Sequence, residues 1–202
     1  MFDKRLLISA AIFYIDWENI QVAGLVEQQH NATLNAGDAR SKGAELEIVA
    51  DISEHWSIRS GFSYTDAELT EDVLDYNGGG DNVYSGDRLP GSPEQQLSLG
   101  IDYAKQFNQA QLDVSVSVAR SDEIYTTLND ESEDYERLSG FTTANARASL
   151  SFEQWRLGVF VNNIGNTRGI TGRRGAYEYG ERGQFEYITR PRTIGVSLRY
   201  RY

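Results

Sequence analysis

Apolar and polar residues alternate with a period of two along most of the chain, as strands do when their two faces meet different surroundings. Near the C-terminus Ile194, Val196, Leu198, Tyr200 and Tyr202 fall on one face, and Thr193, Gly195, Ser197, Arg199 and Arg201 on the other. The same alternation runs through Ala44–Ala50, Trp56–Thr65, Gln96–Tyr103, Leu112–Ala119, Asn145–Phe152 and Trp155–Asn162. The stretch Leu6–Trp17 is apolar on both faces and gives the weakest signal. The pattern predicts about eight strands, each near the roughly 9–11 residues that cross a bilayer when tilted.

The connections alternate in length. Asp51 to His55, Ala104 to Gln109 and Glu153-Gln154 are short; Gly24 to Asp38, Asp66 to Ser92, Ser121 to Gly140 and Gly165 to Glu186 are long. In an up-and-down barrel alternate connections emerge on the same side, so short turns face the periplasm and long loops the exterior. An even strand count puts both chain ends on the short-turn side. Hairpins recur at uneven spacing, which is repeated architecture rather than a sequence repeat.

The polar faces carry Arg59, Arg147, Arg156, Arg199, Asp102, Asp113, Glu45 and Glu47, while the apolar faces are nearly free of charge until the strand ends. A sandwich would bury such apolar faces against a second sheet; a membrane barrel turns them to lipid. In lipid the register is firm. A one-residue slip would flip every side chain, and each Arg brought to the midplane costs about 2–4 kcal/mol. Trp56, Trp155, Tyr103 and Phe152 beside the short turns, with Trp17 and Tyr64 towards the long loops, are expected as the aromatic girdles of the two interfaces.

Composition narrows the function. The net charge of −11 on 202 residues argues against nucleic acid, which needs clustered Lys and Arg. There is no Cys, so thiolate metal sites, disulfides and thiol nucleophiles are excluded. No run approaches the roughly 20 apolar residues of a membrane helix. Lys4-Arg5 before Leu6–Ile15 has the look of a signal peptide, but Asp16 and Glu18 follow at once and Val22-Ala23-Gly24 is a poor cleavage site, so the segment reads as a strand. Without an export signal the sequence is expected to be a fragment of an outer-membrane protein.

Several stretches resemble the barrel strands of the TonB-dependent receptors of Gram-negative outer membranes. They are Ala11–Gln21, Asn35–Glu47, Gly61–Ala67, Leu89-Pro90-Gly91-Ser92-Pro93, Val161–Asn166, and Arg190–Gly195 opening a terminal strand. Each is short; their order and spacing across nearly the whole chain carry the likeness. The resemblance implies an all-β, antiparallel, transmembrane barrel, with residues 1–202 as the C-terminal portion and no plug domain among them. It implies uptake of a ferric siderophore or similar scarce nutrient, with no enzyme activity and no cofactor. The partners it implies are outer-membrane lipid, lipopolysaccharide and the barrel-assembly machinery. That machinery would read Ile194, Val196, Leu198, Tyr200 and Tyr202. Coupling to TonB would pass only through a plug. A self-contained eight-stranded barrel with an adhesive or structural role is the alternative, and a soluble lipocalin-like module a third.

Candidate chemistry is sparse. His30 and His55 are the only histidines, and no nucleophile–base–orienter set can be assembled around them. Two long loops are acidic, with Asp66, Glu68, Glu71, Asp72, Asp75, Asp81 and Asp87 in one and Asp122, Glu123, Asp130, Glu131, Glu133, Asp134 and Glu136 in the other. Neither has a Ca²⁺-loop spacing, so both read as solvated, lipopolysaccharide-proximal loops with no metal. The last loop differs, with Arg168, Arg173, Arg174 and Arg182 around Tyr177 and Tyr179. Arg with aromatic rings suits an anionic chelate or carboxylate, and this loop is the expected ligand contact. Arg147, Arg156 and Arg199 are expected to pair with carboxylates in the lumen.

Overall fold

The computed structural model describes residues 5–26, 30–76, 80, 82–130, 135–178 and 181–202, and leaves aside the side chains of 23–26, 30–32, 174–178 and 181–184. Fourteen strands are present among them: β1 (Leu6–Trp17), β2 (Gln21–Val26), β3 (His30–Asn35), β4 (Ala39–Asp51), β5 (Trp56–Leu69), β6 (Gln95–Phe107), β7 (Ala110–Ser121), β8 (Ile124–Tyr125), β9 (Arg137–Leu138), β10 (Phe141–Phe152), β11 (Trp155–Asn162), β12 (Ile170–Glu178), β13 (Glu181–Ile188) and β14 (Thr193–Tyr200). Eight of them form one antiparallel sheet in the order β1-β4-β5-β6-β7-β10-β11-β14. These are the eight segments expected from the sequence, including β1, the weakest of them in signal, which pairs from Leu6↔Ala50 to Trp17↔Ala39 without a break.

The register explains why the alternation is so regular. Ile12, Ala44, Tyr64 and Gln95 stand in one cross-strand row. Ile58, Ile101, Val116, Ala146, Val161 and Ile194 stand in another. Because pairing is in phase across every strand, the apolar side chains of the alternating strands come, with few exceptions, to one face of the sheet. That face is open: Ile12 is 89% exposed, Ile194 75% and Val196 82%. Exposed apolar area of this extent, continuous over eight strands, needs a nonaqueous partner, and lipid supplies it.

The opposite face is lined by Ser57, Gly61, Ser98, Gly100, Ser115, Ser117, Asn145 and Ser149, with charges set among them. Rings interrupt it, among them Phe13 on β1 and Phe160 on β11, each lying over a glycine opposite, Gly43 and Gly195. A Cβ on Gly43 would stand 2.1 Å from the Tyr64 carbonyl oxygen and 2.6 Å from Phe13 Cζ, so the ring takes the space that glycine leaves.

Tight turns at 52–55, 108–109 and 153–154 join strands at one rim. The aromatic girdle predicted there is present: Trp56 packs on Tyr103 and Trp155 on Tyr200, both with ring centroids 4.8 Å apart. At the other rim Trp17 departs from expectation. The unbroken register puts it on the polar face with Ser9, Ala11 and Phe13, so it is not part of a lipid-facing girdle. The long connections are also more ordered than expected, since three of them contain hairpins, β2–β3, β8–β9 and β12–β13. Strands β1 and β14 are the sheet's two edges and, among the described residues, do not pair with each other, which makes a partial, unclosed barrel.

Candidate functional site

Part of the charge on the polar face is paired locally. Arg59 pairs with Asp102 at 2.7 Å, and the Ser115 hydroxyl donates to the same carboxylate at 2.6 Å. Arg156 Nη2 donates to Ser149 Oγ at 2.8 Å and reaches Asp113 at 3.4 Å. The expected lumenal pairing therefore holds for Arg156. Among the described residues Arg147 and Arg199 have no ion pair, and Arg199 faces Arg156 across β11–β14.

Above this wall the loops close into a cap with a small core of its own. Ala36, Ala39, Leu69, Val83 and Leu128 are buried, with Ile20, Val22, Val73, Tyr76 and Leu89 packed against them. Backbone geometry holds the pieces. Ile20 N–H donates to Gly37 O at 2.8 Å and Ala36 N–H to Ile20 O at 2.9 Å. Gly37 has φ +78°, and a Cβ there would meet Val73 Cγ2 at 2.5 Å, so only glycine fits the turn. Val73 and Val83 form a bridge, and Gly91 N–H donates to Tyr125 O at 2.9 Å, joining the second long connection to the third.

The acidic loop residues have a structural use that the sequence did not suggest. Asp38 accepts from Asn19 N–H at 2.9 Å, and Glu71 from Asp38 N–H at 3.0 Å. Asp72 accepts from Ser85 N–H at 2.9 Å, Asp75 from Gly80 N–H at 2.7 Å, and Asp87 from Tyr84 N–H at 2.7 Å. Carboxylates are strong acceptors for turn amides, so this loop is acidic partly because its backbone donors need partners. Among the described residues no group of three or more His, Cys, Asp or Glu gathers at metal-binding geometry. Asp81, Glu131, Glu133 and Asp134 lie outside the described residues.

Beside the cap core is a cavity of about 590 Å³. The end of β1 and start of β2 supply Trp17, Glu18, Ile20, Gln21 and Val22; the second long connection supplies Tyr76, Leu89 and Pro90; the third supplies Thr126, Thr127 and Leu128. The volume lies within the roughly 300–1,000 Å³ of small-molecule sites. Trp17, among the lining residues, is 46% exposed.

The arginine-rich loop is separate from this cavity. Arg168 is exposed at the foot of the β12–β13 hairpin. Arg173 is bridged by Glu186 of its own hairpin and by Glu136 of the third long connection. Arg174, Tyr177 and Arg182 lie on the hairpin, with Tyr177 and Arg182 directly opposite in register, while Tyr179 lies outside the described residues. Beneath the hairpin, buried Asn163 fixes the base of the loop. Its side-chain amide donates to Thr167 O at 2.9 Å and Arg190 O at 2.8 Å and accepts from Thr167 N–H at 2.9 Å. The terminal-strand residues Ile194, Val196, Leu198 and Tyr200 are exposed on the apolar face of edge strand β14, and Tyr202 is exposed beyond it.

Sequence reasoning missed the cavity. Its residues are spread over 112 positions from Trp17 to Leu128 and meet only in the fold. The available signal was the scatter of single apolar residues, Val73, Val83, Leu89 and Leu128, in otherwise polar loops.

One lipid-compatible face, one charged polar face, tight turns at one rim and a loop cap at the other define a wall section of a transmembrane β-barrel. Residues 1–164 match the family described as TonB dependent receptor-like, beta-barrel, and the chain belongs to that family. It is 25% identical over 174 residues to the probable TonB-dependent siderophore receptor PiuA of Acinetobacter baumannii, covering 84% of this chain and 22% of PiuA. It is 27% identical over 204 residues to the metal-pseudopaline receptor CntO of Pseudomonas aeruginosa, covering all of this chain and 26% of CntO. The crystal structure of PiuA superimposes with a TM-score of 0.72 at 22% identity, over 100% of this chain and 27% of that one. The ferric yersiniabactin uptake receptor FyuA of Yersinia pestis gives 0.73 at 19% identity, over 98% and 28%. The chain thus spans about a quarter of the length of the curated relatives it matches.

Proposed function

We propose that this chain forms the C-terminal part of the barrel wall and outer cap of a receptor in a Gram-negative outer membrane, which takes up a ferric siderophore or a similar metal chelate. The observation that carries this is the division of one sheet into a lipid-compatible face and a charged polar face, roofed by long loops. The relatives named for siderophore and metal-pseudopaline reception support the cargo class. On this reading residues 1–202 contribute wall and no plug, and contact with TonB runs through a plug built from other residues. The assembly machinery reads the face of Ile194, Val196, Leu198, Tyr200 and Tyr202, and the outer loops lie beside lipopolysaccharide. Arg168, Arg174 and Arg182 with Tyr177 and Tyr179 meet the anionic chelate, while Arg173 fastens their hairpin. The receptor binds and passes its cargo and performs no bond chemistry.

The test is uptake of radiolabelled iron or zinc chelates by cells with and without the gene, under metal limitation. A chelate whose uptake disappears with the gene, and equally on de-energising TonB, is the expected result. Unchanged uptake of every chelate together with unchanged growth on limiting metal would overturn the reading.

A further inference from the structure

The cap cavity has a lining chemistry opposite to that of the arginine-rich loop. Among the described residues lining it, the only charged group is Glu18, and neither Lys nor Arg is present. Glu18 is exposed and makes no ion pair among the described residues. Trp17 lines the cavity and is about half exposed. Around these two groups the wall is largely aliphatic, from Ile20, Leu89, Pro90 and Leu128, with Tyr76 as its second ring. Such a surface stacks a flat ring and attracts a cation beside its carboxylate, whereas an anion would meet the Glu18 charge with no compensating donor but the indole N–H and neutral amides or hydroxyls.

We propose that this cavity is a binding subsite for a planar aromatic group that carries no negative charge, stacked on Trp17, with a cationic substituent favoured by Glu18. The proposal rests on the uptake reading only for its purpose: the subsite holds a neutral or amine-bearing ring at the edge of the cargo while the arginine-rich loop faces the anionic chelate. The three connections that build it come from separate parts of the chain, so an occupant would also bridge them.

The experiment measures saturation-transfer NMR signals of three probes on the intact receptor in detergent: tyramine, benzamide and benzoate. Each is read as the difference from a Thr127→Trp variant, in which a second indole fills the cavity, so that partition into detergent cancels. Tyramine and benzamide are expected to give a cavity-dependent signal, with tyramine the stronger and benzoate at least about tenfold weaker than tyramine. Trp17→Ala is expected to abolish the signal and Trp17→Phe to retain most of it, which separates loss of stacking from loss of structure. Glu18→Gln is expected to bring tyramine down to the level of benzamide. Benzoate binding as well as tyramine, wild-type signals in Trp17→Ala, or no difference between wild type and Thr127→Trp would each overturn the proposal. The uptake reading fails by a different result, unchanged chelate uptake in the gene deletion, so the two failures are distinguishable.

Discussion

Asn163 shows how much one side chain can settle. It sits at φ +51°, a left-handed position that Asn tolerates better than most residues. Its side chain satisfies two carbonyls and one N–H of the segments that open and close the last long connection. Its own N–H is taken by Asn145 Oδ1 at 2.9 Å. Asn163→Asp keeps the shape but removes both donors and sets a carboxylate against two carbonyl oxygens. Leaving buried acceptors unpaired costs roughly 1–3 kcal/mol each, so this variant is expected to lose about 3 kcal/mol, read as a lowered denaturant midpoint of the receptor in detergent. A midpoint unchanged from wild type would show that the turn is held by something else. At the same scale Tyr135 stacks on Tyr125, with centroids 5.3 Å apart, and Arg88 lies 5.4 Å above the Tyr125 ring. Burial, then the neighbouring Tyr125, Asp130 and Asp87, raise the Tyr135 pKa above its ordinary value and keep the phenol neutral.

Among the strands, lipid enforces what the sequence displays. Val116 lies mid-strand on β7, on the apolar face, and Ser117 beside it on the polar face. Val116→Arg is expected to destabilise by about 2–4 kcal/mol, as Arg does at the bilayer midplane, while Ser117→Arg stays within about 1 kcal/mol; folding titrations of the receptor in lipid vesicles measure both. Equal costs at the two sites would mean that the faces are not distinguished by lipid. The same physics explains which elements were legible. Seven of the eight sheet strands alternate because each has one face in lipid and one away from it; β1 is apolar on both faces and gives the weakest signal. The hairpins β2–β3, β8–β9 and β12–β13 stand beyond the bilayer, where no such demand is made. Gln21–Val26 runs apolar with a glycine inside, and Arg173 and Arg174 are adjacent on β12, so no period marks them. Trp17 was misplaced for a related reason. A tryptophan at a strand end suits an interface girdle, and only counting along the unbroken pairing of β1 reveals that it faces the other way.

For the whole molecule, one sheet carries two functions at different heights. The wall is legible from period, charge and loop length. The cap is not, because its cavity depends on how three loops separated in sequence come together, and only their apolar residues hint at it. The first acidic loop, read from sequence as solvated, uses several carboxylates as internal acceptors for backbone amides. The arginine-rich hairpin is tied to the neighbouring connection through Arg173 and Glu136, so the cap is bound together as well as to the wall. The two faces of this sheet meet lipid and lumen, and a labelled scan along one strand tests that division most directly. The sequence has no Cys, which permits a clean single-cysteine scan from Asp113 to Val118 with a nitroxide label at each site, in outer-membrane vesicles. Collision with oxygen, which concentrates in lipid, should peak at Val114, Val116 and Val118 and fall at Asp113, Ser115 and Ser117, with a water-soluble nickel chelate excluded from the first set. Nickel chelate reaching Val114, Val116 and Val118 freely, or no two-residue alternation at all, would contradict the account.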